Sequence, residues 1–152
     1  MSSDHPTKDH DHFKDGLRST LKAIAQKKDV DINFLETENV LTSTLTERRF
    51  RNTSQIALHK TEALSVKNKA LSRAHTDSEA LRIAYHDKKQ HAVNLPSDDK
   101  AARLFDALEQ ARFEALGGQQ FKGIASNRSR ALENLSALRG LDNIENREDV
   151  SD

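Results

Sequence analysis

The sequence predicts an α+β fold that is mainly α, with helices packed on a small sheet from the N-terminal half. Three observations carry this. Phe13, Leu17, Leu21 and Ile24 recur at helical spacing. The run Val30-Asp31-Ile32-Asn33-Phe34 alternates apolar and polar, as a half-buried strand does. From residue 61 onward, helical patterns follow one another, punctuated by Pro96 and by Gly117-Gly118.

Taken in order, residues 1–12 are polar and rich in His and Asp, and are expected to form a disordered tail. A helix then starts at Phe13 and fades at Lys27-Lys28-Asp29, where basic residues suit a helix C-terminus. Strands are expected over residues 30–34, 40–46 and 55–59, with Arg48, Arg49 and Arg51 in a loop or exposed edge between the last two. A helix over residues 61–71 comes next. Thr76-Asp77-Ser78-Glu79 has the form of a capping box and predicts a fresh helix running to Asn94. Pro96 breaks the chain, and Ser97-Asp98-Asp99 starts a helix that continues to Leu116 and stops at Gly117-Gly118. The last helix spans residues 122–139, with Ile124, Ala131, Leu135 and Leu138 on one side and Gly140 as its cap. Residues 13–140 therefore read as one mainly helical domain, and residues 141–152 as an acidic disordered tail.

Composition narrows the function. A chain of 152 residues suggests one domain, and with 35% hydrophobic against 32% charged residues its core is modest. The 24 basic and 24 acidic residues cancel, which leaves no global field to draw in nucleic acid or an anionic membrane. The absence of cysteine excludes disulfides and thiol chemistry. No apolar run has the length of a membrane span, and the N-terminus lacks the apolar stretch of a signal peptide, so the expected location is the cytoplasm.

Few residues invite chemistry. His86 and His91 are metal candidates, but five positions on one helix place them about 140° apart, so one helix cannot chelate through both. His86 is then expected to pack or hydrogen-bond within the bundle. The cluster His5, His10, Asp11 and His12 could hold a cation only after ordering a flexible tail. On the helix after Pro96, Leu104, Phe105, Leu108, Ala111, Ala115 and Leu116 share one arc, which reads as the core face. Arg112 falls inside that arc and needs a partner: Glu109, Asp77 or Asp87. Phe113 falls opposite and is expected to be exposed, as an interface aromatic is, or to serve a second small core. The pairs Asp98/Asp99 and Glu109/Glu114 have no cleft to work in, and no G-x-x-x-x-G-K-[ST] loop is present, so no active site or ATP hydrolysis is expected in this chain.

One stretch is more specific. It carries Ala80-Leu81-Arg82, His86-Asp87, His91 and Pro96, then Phe105-Asp106-Ala107, Glu109-Gln110-Ala111-Arg112, Glu114-Ala115 and Gly117, then Gly123-Ile124-Ala125-Ser126-Asn127. This resembles the N-terminal region of the CobT-type subunit of aerobic, ATP-dependent cobaltochelatase. The match is densest over about a third of the chain and extends more thinly to the first helix and strand. Departures are Ala74-His75, where the family tends to have glycine, and Phe121, where Met is common. The resemblance implies a non-catalytic subunit supporting cobalt insertion into a corrin ring in cobalamin biosynthesis. Its partners would be an AAA+ ATPase subunit and a large tetrapyrrole-binding subunit. ATP, magnesium and cobalt are implied for the whole complex, and no cofactor or metal for this chain. Family members continue through an acidic linker into a von Willebrand A-type domain with a D-x-S-x-S metal-ion site. No such motif occurs here, so coupling through that site does not carry over, and either the chain is truncated or that domain is encoded separately. Candidate partner-binding residues are His86, His91, Glu109, Arg112 and Phe113. The alternatives are a stand-alone helical adaptor or truncated remnant without chelatase activity, and a metal-binding protein using His10, His12, His86 and His91.

Overall fold

Apolar residues three and four apart fix the inner face of the first helix, α1 (His5–Ala25), where Leu17, Leu21, Ile24 and Ala25 are buried. The computed structural model describes residues 5–37, 54–59 and 65–138. Helix α1 starts at His5, so residues 5–12 are helical where a disordered tail was expected. Those residues have no apolar stripe to betray a helix. A helix anchored downstream nonetheless extends by one hydrogen bond per residue without a new nucleation cost. At Gln26 the backbone turns to a positive φ of 53°, the left-handed conformation that ends many helices.

Two short strands form the sheet. Strand β1 (Ile32–Thr37) pairs in parallel with β2 (Ser54–His59), with Phe34 opposite Ile56. The first expected strand is thus shifted towards the C-terminus, and the one expected at residues 55–59 is β2. The strand expected at 40–46 and the three arginines after it lie outside the described residues. Ile56 is fully buried in the main core with Leu21, Leu81 and Phe113. On the other strand, the Arg18 guanidinium of α1 lies 4.6 Å from the Phe34 ring centre.

Helix α2 (Val66–Tyr85) is the hub, touching α1, β2 and both long C-terminal helices. Its N-cap is Ser65, whose hydroxyl accepts from the Asn68 N–H at 3.1 Å. The helix runs unbroken through Thr76, so no capping box operates there. Instead the Thr76 hydroxyl donates to the Ser72 carbonyl at 2.8 Å, and Glu79 forms an ion pair with Arg82. From Leu71 to Arg82 every residue except Arg73 is buried, although most of them are polar. An apolar stripe cannot mark such a helix. It is held by partners for its polar groups.

Helix α2 ends at Tyr85, well before the expected Asn94. His86 takes an extended conformation, and Asp87 caps a separate short helix, α3 (Lys88–Asn94), by accepting from the Lys89 and Gln90 N–H groups. Helix α4 (Asp99–Gln120) follows Pro96 with Asp98 as N-cap, as the sequence predicts. It does not stop at Gly117-Gly118. Gly117 sits inside the helix where α4 crosses α2, and a Cβ there would lie 2.3 Å from a Leu81 methyl carbon. Helix α5 (Lys122–Leu138) buries Ile124 and Ala131, and Ala131 completes a small second core with Leu71 and Ala74. The fold is mainly α with a small N-terminal sheet. Among the described residues, no helix is long and apolar enough to cross a membrane.

Candidate functional site: polar contacts beneath a leucine stripe

Helix α4 is turned about its axis relative to its apolar pattern. Phe113, expected outside, is fully buried in the main core. Leu104 and Leu108, expected inside, are 62% and 60% exposed, and Ala111 and Ala115 are exposed with them. These four lie within an arc of about 60°, on the side opposite Asp106 and Phe113. Leu116, on the flank, is partly exposed.

The reason lies in what α2, α3 and α5 offer to the inner face. His91 is buried, and its Nε2 meets the Asp106 carboxylate at 2.8 Å. His86 Nδ1 meets Glu109 Oε1 at 2.9 Å, and since Glu109 is ionised the imidazole N–H donates. Ser78 of α2 donates to Glu114 at 2.7 Å, Gln110 donates to the same oxygen at 3.0 Å, and Arg128 of α5 bridges to Glu114 at 2.8 Å. Each buried charge thus has a partner, which is the condition for burying it at all. Satisfying this set requires α4 to face inward with Asp106, Glu109, Gln110 and Glu114. The leucines are left outside as a consequence.

The aromatic rings complete the packing. The His86 and His91 rings meet edge to face, 4.9 Å between centres, and His91 stacks on Phe105 at 4.8 Å. His86 also lies 6.4 Å from Phe113. Phe105, placed with the leucines by the helical pattern, is instead a half-buried cover for His91.

Arg112 takes Glu109 among the partners foreseen for it, and neither Asp77 nor Asp87. Its guanidinium holds both Glu109 oxygens, at 2.6 and 2.8 Å, and donates to the Tyr85 carbonyl at 2.8 Å. That carbonyl belongs to the last turn of α2, so Arg112 satisfies a group the helix end leaves free. The Arg112 hydrogen bond holds the Glu109 carboxyl down at about 2, against the upward push of burial and with help from His86. The same hydrogen bond raises the Arg112 pKa. The Arg112 side chain is 48% exposed, so it stands at the edge of the leucine stripe while anchored beneath it.

Of the candidate residues, His86, His91, Glu109, Arg112 and Phe113 do come together, at the junction of α2, α3 and α4. Only Arg112 among them is exposed. Asp106 and the Ser78–Glu114–Arg128 set were not foreseen, because their partners lie far away in sequence. The separation of α3 from α2 had a signal: Asp87 before Lys88-Lys89-Gln90 is a good N-cap. The geometric premise that His86 and His91 share one helix fails with it.

A second feature is an open cavity of about 450 Å³ between α1, α2 and α5, lined by Phe13, Leu17, Arg73, Asp77 and Asn127 among others. Asp77 is buried there and accepts from the Asn127 side chain at 2.7 Å. Burial raises its pKa, opposed by the Asn127 bond and the Arg73 charge.

Comparison with known proteins gives one family. The sequence model described as "Cobalamin biosynthesis protein CobT" matches residues 7–151. No solved structure matches the chain.

Proposed function

From the premise that this chain belongs to the CobT family of cobalamin biosynthesis proteins, we propose that it is a non-catalytic subunit of cobaltochelatase that docks to an AAA+ ATPase partner. Family membership gives it a role in cobalamin biosynthesis. The observation that carries the finer reading is the outward stripe of Leu104, Leu108, Ala111 and Ala115 on a chain otherwise dense in charge. Two large apolar side chains one turn apart on a rigid, capped helix form the kind of anchor that helix-in-groove interfaces use. Arg112 at the stripe's edge adds a fixed cation that can select an acidic rim on the partner.

In this reading ATP, magnesium and cobalt belong to the whole assembly, together with a large tetrapyrrole-binding subunit. The chain's own contribution is a preformed surface. The contacts beneath α4 hold that surface rigid, which lowers the ordering cost of association.

The test is co-elution with the AAA+ subunit in the presence of ATP, using light scattering to size the complex. The unmodified chain is expected to co-elute with the AAA+ subunit. The double variant Leu104→Glu, Leu108→Glu is expected to stay separate while retaining its helical circular dichroism. Equal binding by both proteins would remove this surface from the proposal.

A further inference from the structure

We infer that His86, His91 and Glu109 form a binding site for a tetrahedral divalent metal ion such as zinc or cobalt(II). The inference stands apart from the docking proposal, since it concerns the buried junction and not the leucine stripe.

The break between α2 and α3 creates the arrangement. On one continuous helix the two imidazoles would diverge. With His86 in an extended link and Asp87 starting a new helix, the rings meet edge to face instead. Glu109 then reaches them from α4. One ligand atom from each of the three residues lies within 4.8 Å of the others.

The chemistry fits a metal. Two histidines and one glutamate make a three-ligand set that leaves a fourth position for water. Ligand atoms around a tetrahedral zinc lie about 3.3 Å apart, given zinc–nitrogen and zinc–oxygen bonds of about 2 Å. The contact between His86 Nδ1 and Glu109 Oε1, 2.9 Å, is already close to that edge. An ion would replace the proton now held between them. His91 has the remaining distance to close, and its Nε2 is engaged by Asp106, which leaves Nδ1 as its ligand. A carboxylate on the far nitrogen of a ligating histidine fixes its tautomer and raises its basicity. Asp106 supplies that support, with its own side chain only 2% exposed. Arg112 steadies the Glu109 carboxylate at both oxygens, so it would sit beside the ion as an outer neighbour and favour a single oxygen as ligand. With both imidazoles neutral, the Glu109 and Asp106 carboxylates would offset the ion's two positive charges, and the Arg112 guanidinium would leave the cluster with one positive charge.

The test titrates the full chain with cobalt(II), followed by visible absorption, and then with zinc in competition. The expected result is one ion per chain, the intense bands of tetrahedral cobalt, and their loss on adding zinc. Zinc should also raise the melting temperature of the unmodified chain, a readout that needs no variant. His91→Ala and Glu109→Gln should each abolish the tetrahedral bands, and Asp106→Asn should weaken binding about 10- to 100-fold. The double variant His10→Ala, His12→Ala should bind as the parent does. Absence of tetrahedral bands in the parent, or their loss only in the His10/His12 variant, would overturn the assignment.

Discussion

Leu81 of α2 occupies the space that a side chain at Gly117 of α4 would need: a Cβ there would stand 2.3 and 2.4 Å from the two Leu81 methyl carbons. Both residues are buried where the two helices cross. Gly117→Ala should therefore destabilise the protein by about 1–3 kcal/mol through overpacking, despite the better helix propensity of alanine. Urea denaturation checks this. The double variant Leu81→Ala, Gly117→Ala should cost less in total than the two single variants summed, because the new methyl then enters the space the leucine leaves.

Glu109 makes stability depend on acid. Its folded-state pKa of about 2 lies below the ordinary value of 4.5, so the folded chain binds fewer protons there than the unfolded chain between those limits. The contribution is fully present above the unfolded value and is lost as pH falls towards 2. Since Arg112 is half exposed, the effect is on the order of 2 kcal/mol after allowance for solvent screening. Glu109→Gln should lower stability at pH 7 and flatten the profile between about pH 5 and pH 2 relative to the parent. Chemical denaturation across that range measures both.

Asp77 works in the opposite sense. Burial raises its folded-state pKa, so the folded chain binds more protons there than the unfolded chain, and stability falls as pH rises across the interval between the two values. Asp77→Asn removes the charge and keeps an oxygen to accept from Asn127. The variant is expected to gain relative to the parent at pH 7, and to lose that advantage as the parent's carboxyl protonates in acid. Paired melting curves at neutral and acidic pH give the comparison.

Much of the fold was legible because local chemistry decided it. Leu17, Leu21 and Ile24 marked α1, the alternation around Ile32 marked β1, and Pro96 with Asp98 marked the start of α4. The orientation of α4 was not legible. Its leucines define the strongest apolar arc, yet the inward groups Asp106, Glu109 and Glu114 are chosen by His91, His86, Ser78 and Arg128 on three other elements. No pattern within a single helix records such partners. Thr76 and Glu79 had the spacing of a capping box and serve instead in the middle of a buried polar helix. The candidate residues around His86 stood out by residue type and by position on the helical pattern, while the contacts that join them emerged only from the packing of α3 against α4.

The most direct test of the account is the stability of two truncations on one helix, measured by urea denaturation. Phe113→Ala is predicted to cost about 3–5 kcal/mol, as loss of a buried aromatic does. Leu108→Ala, on the outward face, is predicted to stay within about 0.5 kcal/mol of the parent. A large loss for Leu108→Ala with little change for Phe113→Ala would contradict the account, because α4 would then bury its leucines.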